Sequence, residues 1–237
     1  MRHYGLIGYP LAQSQSAVYF SHKFREEHID ADYRLYEMPI LTIPEGLDGF
    51  SVTIPYKEAI IPLLTSIDPI AASIGAVNCV AGTKGYNTDY IGVLATLDKV
   101  IGAKSCHAAQ ALIFGTGGAA KAVTYALRQR GISYSLVSRV KERGNLTYEQ
   151  ISPDVITAHQ LLINCTPVGM HGADEKACID IPYSAIGKEH VLFDCIYNPV
   201  ETEFLRRGKA QGAQTMNGLT MFITQAEQAW KIWNNAI

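Results

Sequence analysis

No apolar run in this chain of 237 residues approaches the ~18–20 residues that a membrane-crossing helix needs. The opening stretch, MRHYGLIGYP, also lacks the long apolar segment of a secretion signal. Charge of one sign is missing too. Twenty Lys and Arg face 22 Asp and Glu, a net charge of −2, which provides no global attraction to nucleic acid or to an anionic membrane. There is no C-x-x-C pair, and five cysteines (Cys79, Cys106, Cys165, Cys178, Cys195) make an odd set. That argues against a disulfide framework or a zinc site and for reduced thiols. The seven histidines show no metal-ligand spacing, so no metal is expected, and His22, His28, His107, His159 and His190 read as surface residues. Repeats and low-complexity tracts are absent. What is present is a 48% apolar share with 18% charged residues, enough for a sizeable core and incompatible with intrinsic disorder. The expectation is a cytoplasmic globular protein with neither nucleic-acid nor membrane partners.

Short apolar runs closed by Gly, Ser or Asn alternate with stretches of helical spacing. Strands are expected at Tyr4 to Gly8, Asp32 to Met38 and Gly49 to Thr53, the last stopped by Pro55. A helix is expected over Ala17 to His28, with Ser16 as its N-cap and Val18, Phe20 and Phe24 on one face. Another should start near Lys57, and a third should span Tyr90 to Val100. Residues 78–81 and 84–87 read as a hairpin around Gly82. A second unit begins near Ala108, with strands at 111–114, 135–137, 161–164 and 191–194 and a helix over 119–130. The pattern implies β-α-β units, a parallel sheet covered on both faces, and two α/β domains. Residues 1–98 with 217–237 form the expected substrate domain, and 99–216 the Rossmann-type domain. The closing helix, Phe222 to Ile237, would return to pack on the first, with Trp230 and Trp233 as packing residues.

Gly115-x-Gly117-x-x-Ala120 fits the dinucleotide fingerprint, placed directly after an apolar strand and before an alanine-rich helix. Glycines there allow a tight turn and let the backbone approach a pyrophosphate at the helix N-terminus. A plain glycine-rich turn is the alternative. At the end of the next strand the chain reads Ser138-Arg139-Val140-Lys141-Glu142-Arg143, without the carboxylate that would bind the ribose hydroxyl of NAD. Arg139 and Arg143 suit a 2′-phosphate, so NADP(H) is the expected cofactor, against a merely solvated basic turn.

Ser14-Gln15-Ser16, residues 51–57 (SVTIPYK), Gly75-Ala76-Val77-Asn78 and residues 85–89 (GYNTD) precede that loop. Residues 163–170 (INCTPVGM), Asp194-x-x-Tyr197-x-Pro199-x-x-Thr202 and Asn217-Gly218-Leu219-x-Met221 leading to Gln225 follow it. In this order the set resembles the shikimate dehydrogenase family over nearly the whole chain, from about Tyr4 to Trp233. The resemblance implies reversible NADPH-dependent reduction of 3-dehydroshikimate to shikimate, a step of chorismate and aromatic amino acid biosynthesis. It implies that Ser14 and Ser16 hold the substrate carboxylate, with Tyr197 nearby. Thr53, Lys57, Asn78, Asp89 and Gln225 would address the ring hydroxyls and the reacting oxygen. Gly115, Thr116, Gly117, Gly118 and Ala119 would hold the pyrophosphate, and Ser138, Arg139 and Arg143 the phosphorylated ribose. Thr166, Cys195 and Gly218 would lie along the nicotinamide half.

The chemistry of the residues agrees with those roles. A small polyhydroxylated carboxylate requires short hydroxyl, amide and charged groups, because an unmatched buried polar group is costly. Hydride arriving at a ketone leaves an alkoxide, for which Lys57 offers an ammonium and Asp89 a proton-exchanging carboxylate. Lys57 and Asp89 are therefore the catalytic candidates, although Asp89 could also cap the helix that starts near Tyr90. Departures from the family pattern are Ala17 for Pro, Ser51 for Asn, Tyr90 for Gly and Val140 for Thr. They touch no proposed catalytic group. Ligands are expected in a cleft between the two domains of a monomer or homodimer. A relaxed quinate/shikimate dehydrogenase using NAD or NADP, and a non-catalytic binding homologue, are the alternatives.

Overall fold

The computed structural model describes residues 1–11, 14–101, 110–172 and 175–235. Cys106, His107 and the expected start of the second unit near Ala108 lie outside the described residues. The chain divides into two compact units, Met1–Thr88 with Gln225–Ile237, and Asp89–Thr224. These cuts fall ahead of residue 98 and beyond residue 217.

In the first unit, β1 (Arg2–Gly8) is an apolar run buried from Tyr4 onward. It pairs in parallel with β2 (Ala31–Glu37) on one side and β3 (Gly49–Val52) on the other. The hairpin forms as its composition demands: β5 (Cys79–Ala81) and β6 (Lys84–Tyr86) are antiparallel around Gly82, whose φ of 56° suits glycine. With the two-residue β4 (Ser66–Ile67) the sheet order is β2-β1-β3-β5-β6-β4, mixed rather than all parallel. Helix α1 (Ser16–Glu26) buries Phe20 and Phe24 but leaves Val18 exposed. Ser16 is its first helical residue and not the expected cap; Gln15 holds the cap position without a side-chain bond. No helix starts at Lys57. The cis-Pro corner at residues 54–55 leads into turns and then a 3₁₀ turn over Ile61–Leu63. Helix α2 (Pro69–Ile74), capped by the Asp68 carboxylate and closed by left-handed Gly75, returns the chain to β5.

The second unit opens with α3 (Asp89–Ile101). Strands β7 (Gln110–Phe114), β8 (Ser133–Val137), β9 (Leu161–Asn164), β10 (Val191–Asp194) and β11 (Gln214–Met216) form one all-parallel sheet in the order β11-β10-β9-β7-β8. The alternation of faces is strict. Ala111, Ile113, Leu161, Ile163, Val191 and Phe193 face a cluster with α3 residues Val93 and Leu97 and with Val123 and Leu127 of α4 (Gly118–Gln129). Leu112, Phe114, Leu162 and Leu192 face Ile156 of α5 (Pro153–Ala158) and Phe204 of α6 (Glu203–Ala210). The sheet is thus covered on both faces, as expected of a Rossmann-type domain. Strand order reverses between β7 and β9, the switch point at which such sheets bind ligands beyond their carboxyl ends.

Helix α7 (Leu219–Trp233) carries Ala226, Ala229, Ile232 and Trp233 into the first unit's core. Trp233 stacks on Tyr4 with ring centroids 5.0 Å apart and donates from Nε1 to the Val80 carbonyl at 3.0 Å. The tryptophans are packing residues, as their spacing suggested. His159 and His190, expected at the surface, are buried instead. His159 Nδ1 lies 2.7 Å from the Val155 carbonyl, and His190 Nδ1 accepts from Gly187 N–H at 3.0 Å. Satisfied ring nitrogens are what allow both imidazoles inside.

Candidate active site

The first unit gathers polar groups from three distant segments around Asn78. Its backbone is locked between strands, with the carbonyl accepting from Val52 N–H at 2.8 Å and the N–H donating to the Tyr86 carbonyl at 3.0 Å. The side chain, only 3% exposed, accepts from Thr88 N–H at 2.6 Å and donates to Thr88 Oγ1 at 2.9 Å and to Gln225 Oε1 at 3.3 Å. Gln225 arrives on α7, nearly 150 positions away, so only the tertiary fold joins it to Asn78. Thr88, part of the motif of residues 85–89 but given no role by the sequence, is Asn78's main partner in this array.

Lys57 stands in the turn that follows β3. Thr53 N–H donates to the Ile7 carbonyl at 2.9 Å, and Tyr56 N–H returns to the Thr53 carbonyl at 2.9 Å. Val77 N–H then donates to the Lys57 carbonyl at 2.7 Å. The lysine backbone is therefore tied to the segment that carries Asn78, while its half-buried side chain extends from a fixed point. Ser14 Oγ accepts from Ser16 N–H at 3.2 Å, which binds the two serines into one turn at the start of α1. Ser14 is half-buried and Ser16 buried.

Asp89, 4% exposed, is the first residue of α3. As a carboxylate in a first helical turn it suits the positive end of the helix dipole. Tyr197 stacks on Phe222 at 4.5 Å in the second unit.

The glycine loop leaves β7 at the switch point. Gly115 has φ 107°, and a Cβ there would sit 3.1 Å from Thr166 Cγ2 and 3.2 Å from the Cys165 carbonyl carbon. Glycine is required by backbone and by space. Gly117, the residue ahead of α4, differs: a Cβ there would meet nothing within 4 Å, and the helix has no side-chain cap. An uncapped N-terminus over open space is a site for an anion. At the end of β8, Ser138 is buried with Oγ accepting from Val140 N–H at 3.1 Å, while Arg139, Lys141 and Arg143 are exposed. Burial raises the pKa of Tyr148, and the charge of Arg139 opposes that shift. These residues fit a phosphorylated dinucleotide: open loop, free helix N-terminus and basic rim.

Two loops beyond β9 and β10 are held by one buried carboxylate that the sequence motif contained but did not assign. Asp194, fully buried, accepts from Asn164 Nδ2 at 3.1 Å, Ile196 N–H at 2.9 Å and Thr202 Oγ1 at 2.7 Å. Asn164 Oδ1 in turn accepts from Thr166 N–H at 2.9 Å and Thr166 Oγ1 at 2.7 Å. Burial pushes the Asp194 carboxyl up to about 6, against the lowering effect of those donors. Gly218 lets the next segment close over Cys195, where a Cβ would lie 2.2 Å from its carbonyl oxygen. Thr166, Cys195 and Gly218, expected along one half of the cofactor, thus share one edge of the parallel sheet. Among the described residues no cluster of three His, Cys, Asp or Glu could hold a metal. No helix among the described residues is long and apolar enough to cross a membrane.

Residues 6–80 match the family model described as shikimate dehydrogenase substrate binding domain. The shikimate dehydrogenase (NADP(+)) of Aquifex aeolicus is 36% identical over 250 residues, covering 98% of this chain and 90% of that protein. A crystal structure of shikimate 5-dehydrogenase from Thermus thermophilus, in complex with NADP(H) and shikimate, superposes with a TM-score of 0.86. It is 29% identical and covers 99% of this chain and 94% of its own. Quinate dehydrogenase from Corynebacterium glutamicum, in complex with NAD, gives a TM-score of 0.85 at 26% identity, with the same coverage of 99% and 94%.

Proposed function

This chain belongs to the shikimate dehydrogenase family, and on that premise we propose that it catalyses the reversible NADPH-dependent reduction of 3-dehydroshikimate to shikimate. The observation that carries this reading is the array of buried Asn78 and Thr88 with half-buried Gln225, which holds amide and hydroxyl groups in fixed directions. Such an array suits a ligand rich in ring hydroxyls, which can exchange hydrogen bonds with amide and hydroxyl groups already held in direction.

The side chains divide the work by chemistry. Ser14 and Ser16 donate to the substrate carboxylate, with Tyr197 as a further phenolic donor. Thr53, Asn78 and Gln225 take the ring hydroxyls. Gly115 to Ala119 would hold the pyrophosphate of NADPH, Ser138, Arg139 and Arg143 its 2′-phosphate, and Thr166, Cys195 and Gly218 its nicotinamide half, which would supply the hydride. Lys57 holds the ammonium that stabilises the oxygen developing negative charge at the ketone and then protonates it. Asp89 exchanges protons with the same hydroxyl when the reaction runs toward the ketone. Ionised groups in fixed positions do this without reorganisation during the step. The proposed setting is the cytoplasm, with the chain a monomer or homodimer.

The test is a spectrophotometric assay of purified protein. NADPH oxidation should depend on 3-dehydroshikimate, and NADP⁺ reduction on shikimate. Absence of both activities in folded protein would refute the reading. The likeness to the quinate dehydrogenase favours one further comparison, quinate with NAD⁺, and faster turnover of that pair would reassign the substrate.

A further inference from the structure

We propose that Cys165 and Cys195 are a paired-thiol modification site that closes to an intrachain disulfide and thereby weakens dinucleotide binding; the second half rests on the cofactor assignment above. The two residues directly follow Asn164 and Asp194, which are partners in the parallel register of β9 and β10. The ladder continues past the strand ends, with Cys195 N–H donating to the Asn164 carbonyl at 2.9 Å and Cys165 N–H to the Phe114 carbonyl at 2.9 Å. The two sulfurs are already 3.8 Å apart, and both side chains are only partly buried. Neighbouring strands run about 4.8 Å apart, inside the ~4.4–6.8 Å Cα span that a disulfide bridges. Rotation of two side chains, without unpairing strands, therefore brings the sulfurs into bonding distance.

The other described thiols are placed differently. Cys79 is fully buried, and Cys178 Sγ lies 2.8 Å from Tyr183 Oη. A low-molecular-weight disulfide is the oxidant. Cys165 as thiolate attacks one of its sulfurs, forming a mixed disulfide and releasing one small thiolate. Cys195 then gives up its proton, its sulfur attacks the Cys165 sulfur, and the second small thiolate leaves. Two protein thiols are oxidised, and one small disulfide is reduced to two thiols. Cys165 is the attacking partner, because the hydrogen bond that the Cys195 thiol shares with the Cys165 sulfur and burial both hold Cys195 protonated. The bridge would form beside Gly115, against which the Cys165 carbonyl is packed, and beneath Gly218, which lies on the Cys195 carbonyl. The bridge would therefore fix a side chain at Cys195, one of the residues assigned to the nicotinamide half.

The experiment treats folded, reduced protein with oxidised glutathione, alkylates the remaining thiols and maps the products by mass spectrometry. A cross-linked peptide pair joining Cys165 to Cys195, two hydrogens lighter, is expected, and it should vanish in Cys165→Ser, whose fold is checked by circular dichroism. A stable glutathione adduct on Cys165, or bridges involving other cysteines, would overturn the proposal. NADPH affinity, read by fluorescence titration, should fall about tenfold or more on oxidation and return with dithiothreitol. Equal affinity of bridged and reduced protein would overturn the link to the cofactor. Reduced protein that binds no NADPH would instead overturn the cofactor assignment, leaving the mapped bridge to decide the thiol pair by itself.

Discussion

Asn78 and Thr88 are joined through both ends of the carboxamide: its oxygen accepts from Thr88 N–H at 2.6 Å, and its amide donates to Thr88 Oγ1 at 2.9 Å. One side chain thus acts as the strand partner that Thr88, beyond the end of β6, would otherwise lack. Asn78→Ala should destabilise the fold by about 1–3 kcal/mol, the cost of leaving buried partners unmatched. Urea unfolding measures it. A change within experimental error would show that water replaces the amide.

Lys57→Ala separates chemistry from fold. The Lys57 backbone carbonyl accepts from Val77 N–H at 2.7 Å, a bond that the alanine variant keeps. Loss of a donor to a developing oxyanion should lower kcat about 10²–10³-fold. A near-normal kcat with a raised KM would demote Lys57 to a substrate-binding role.

Arg139 is exposed at the end of β8. Arg139→Ala should weaken NADPH binding by roughly 1.5–3 kcal/mol, the worth of a charge-assisted phosphate contact. NADH binding should be nearly unaffected, and paired titrations measure the difference. Equal losses for both cofactors would remove the 2′-phosphate assignment.

The two loop glycines should fail in different ways. Gly115→Ala forces a side chain to φ 107° against Thr166 and the Cys165 backbone, at a cost of about 1–3 kcal/mol in stability. Gly117→Ala meets open space at φ −82° and should leave stability within about 0.5 kcal/mol. It should nevertheless weaken NADPH about tenfold or more, since the added methyl occupies the space assigned to the pyrophosphate. Unchanged NADPH affinity in Gly117→Ala would move the phosphate site elsewhere.

Asp194 gives a pH dependence of known sign. Its carboxyl is held at about 6 in the fold, against ~3.9 in the unfolded chain. Between about pH 4 and pH 6 the folded state keeps a proton that the unfolded state has released. This group's contribution is therefore full below the unfolded value and is lost as pH rises through the folded one, on the order of 2–3 kcal/mol. Asp194→Asn should flatten that part of the stability profile in urea unfolding across the window. An identical slope in wild type and variant would show that the carboxyl titrates normally.

The parallel sheet was readable in the sequence because its strands are buried on both faces and appear as uninterrupted apolar runs, such as residues 111–114 and 161–164, each closed by a small polar residue. The glycine loop was readable for a similar reason, since a backbone turn beside another chain segment tolerates only glycine. Local pattern misled where the deciding force was not local. Ser16 resembles a cap, but the chain enters α1 one residue earlier. Lys57 resembles a helix start, but the preceding corner and the Val77 N–H bond hold it in turns. His159 and His190 resemble surface residues until carbonyls and hydroxyls of neighbouring elements satisfy their rings. The residue types of the site were written in the sequence, because the chemistry of a hydroxylated acid and a phosphorylated dinucleotide demands those groups. Their assembly was not. Gln225 meets Asn78, Asp194 ties Asn164 to Thr202, and Cys165 lies beside Cys195 only because strand order and helix return bring distant segments within hydrogen-bond range, and no local periodicity encodes that.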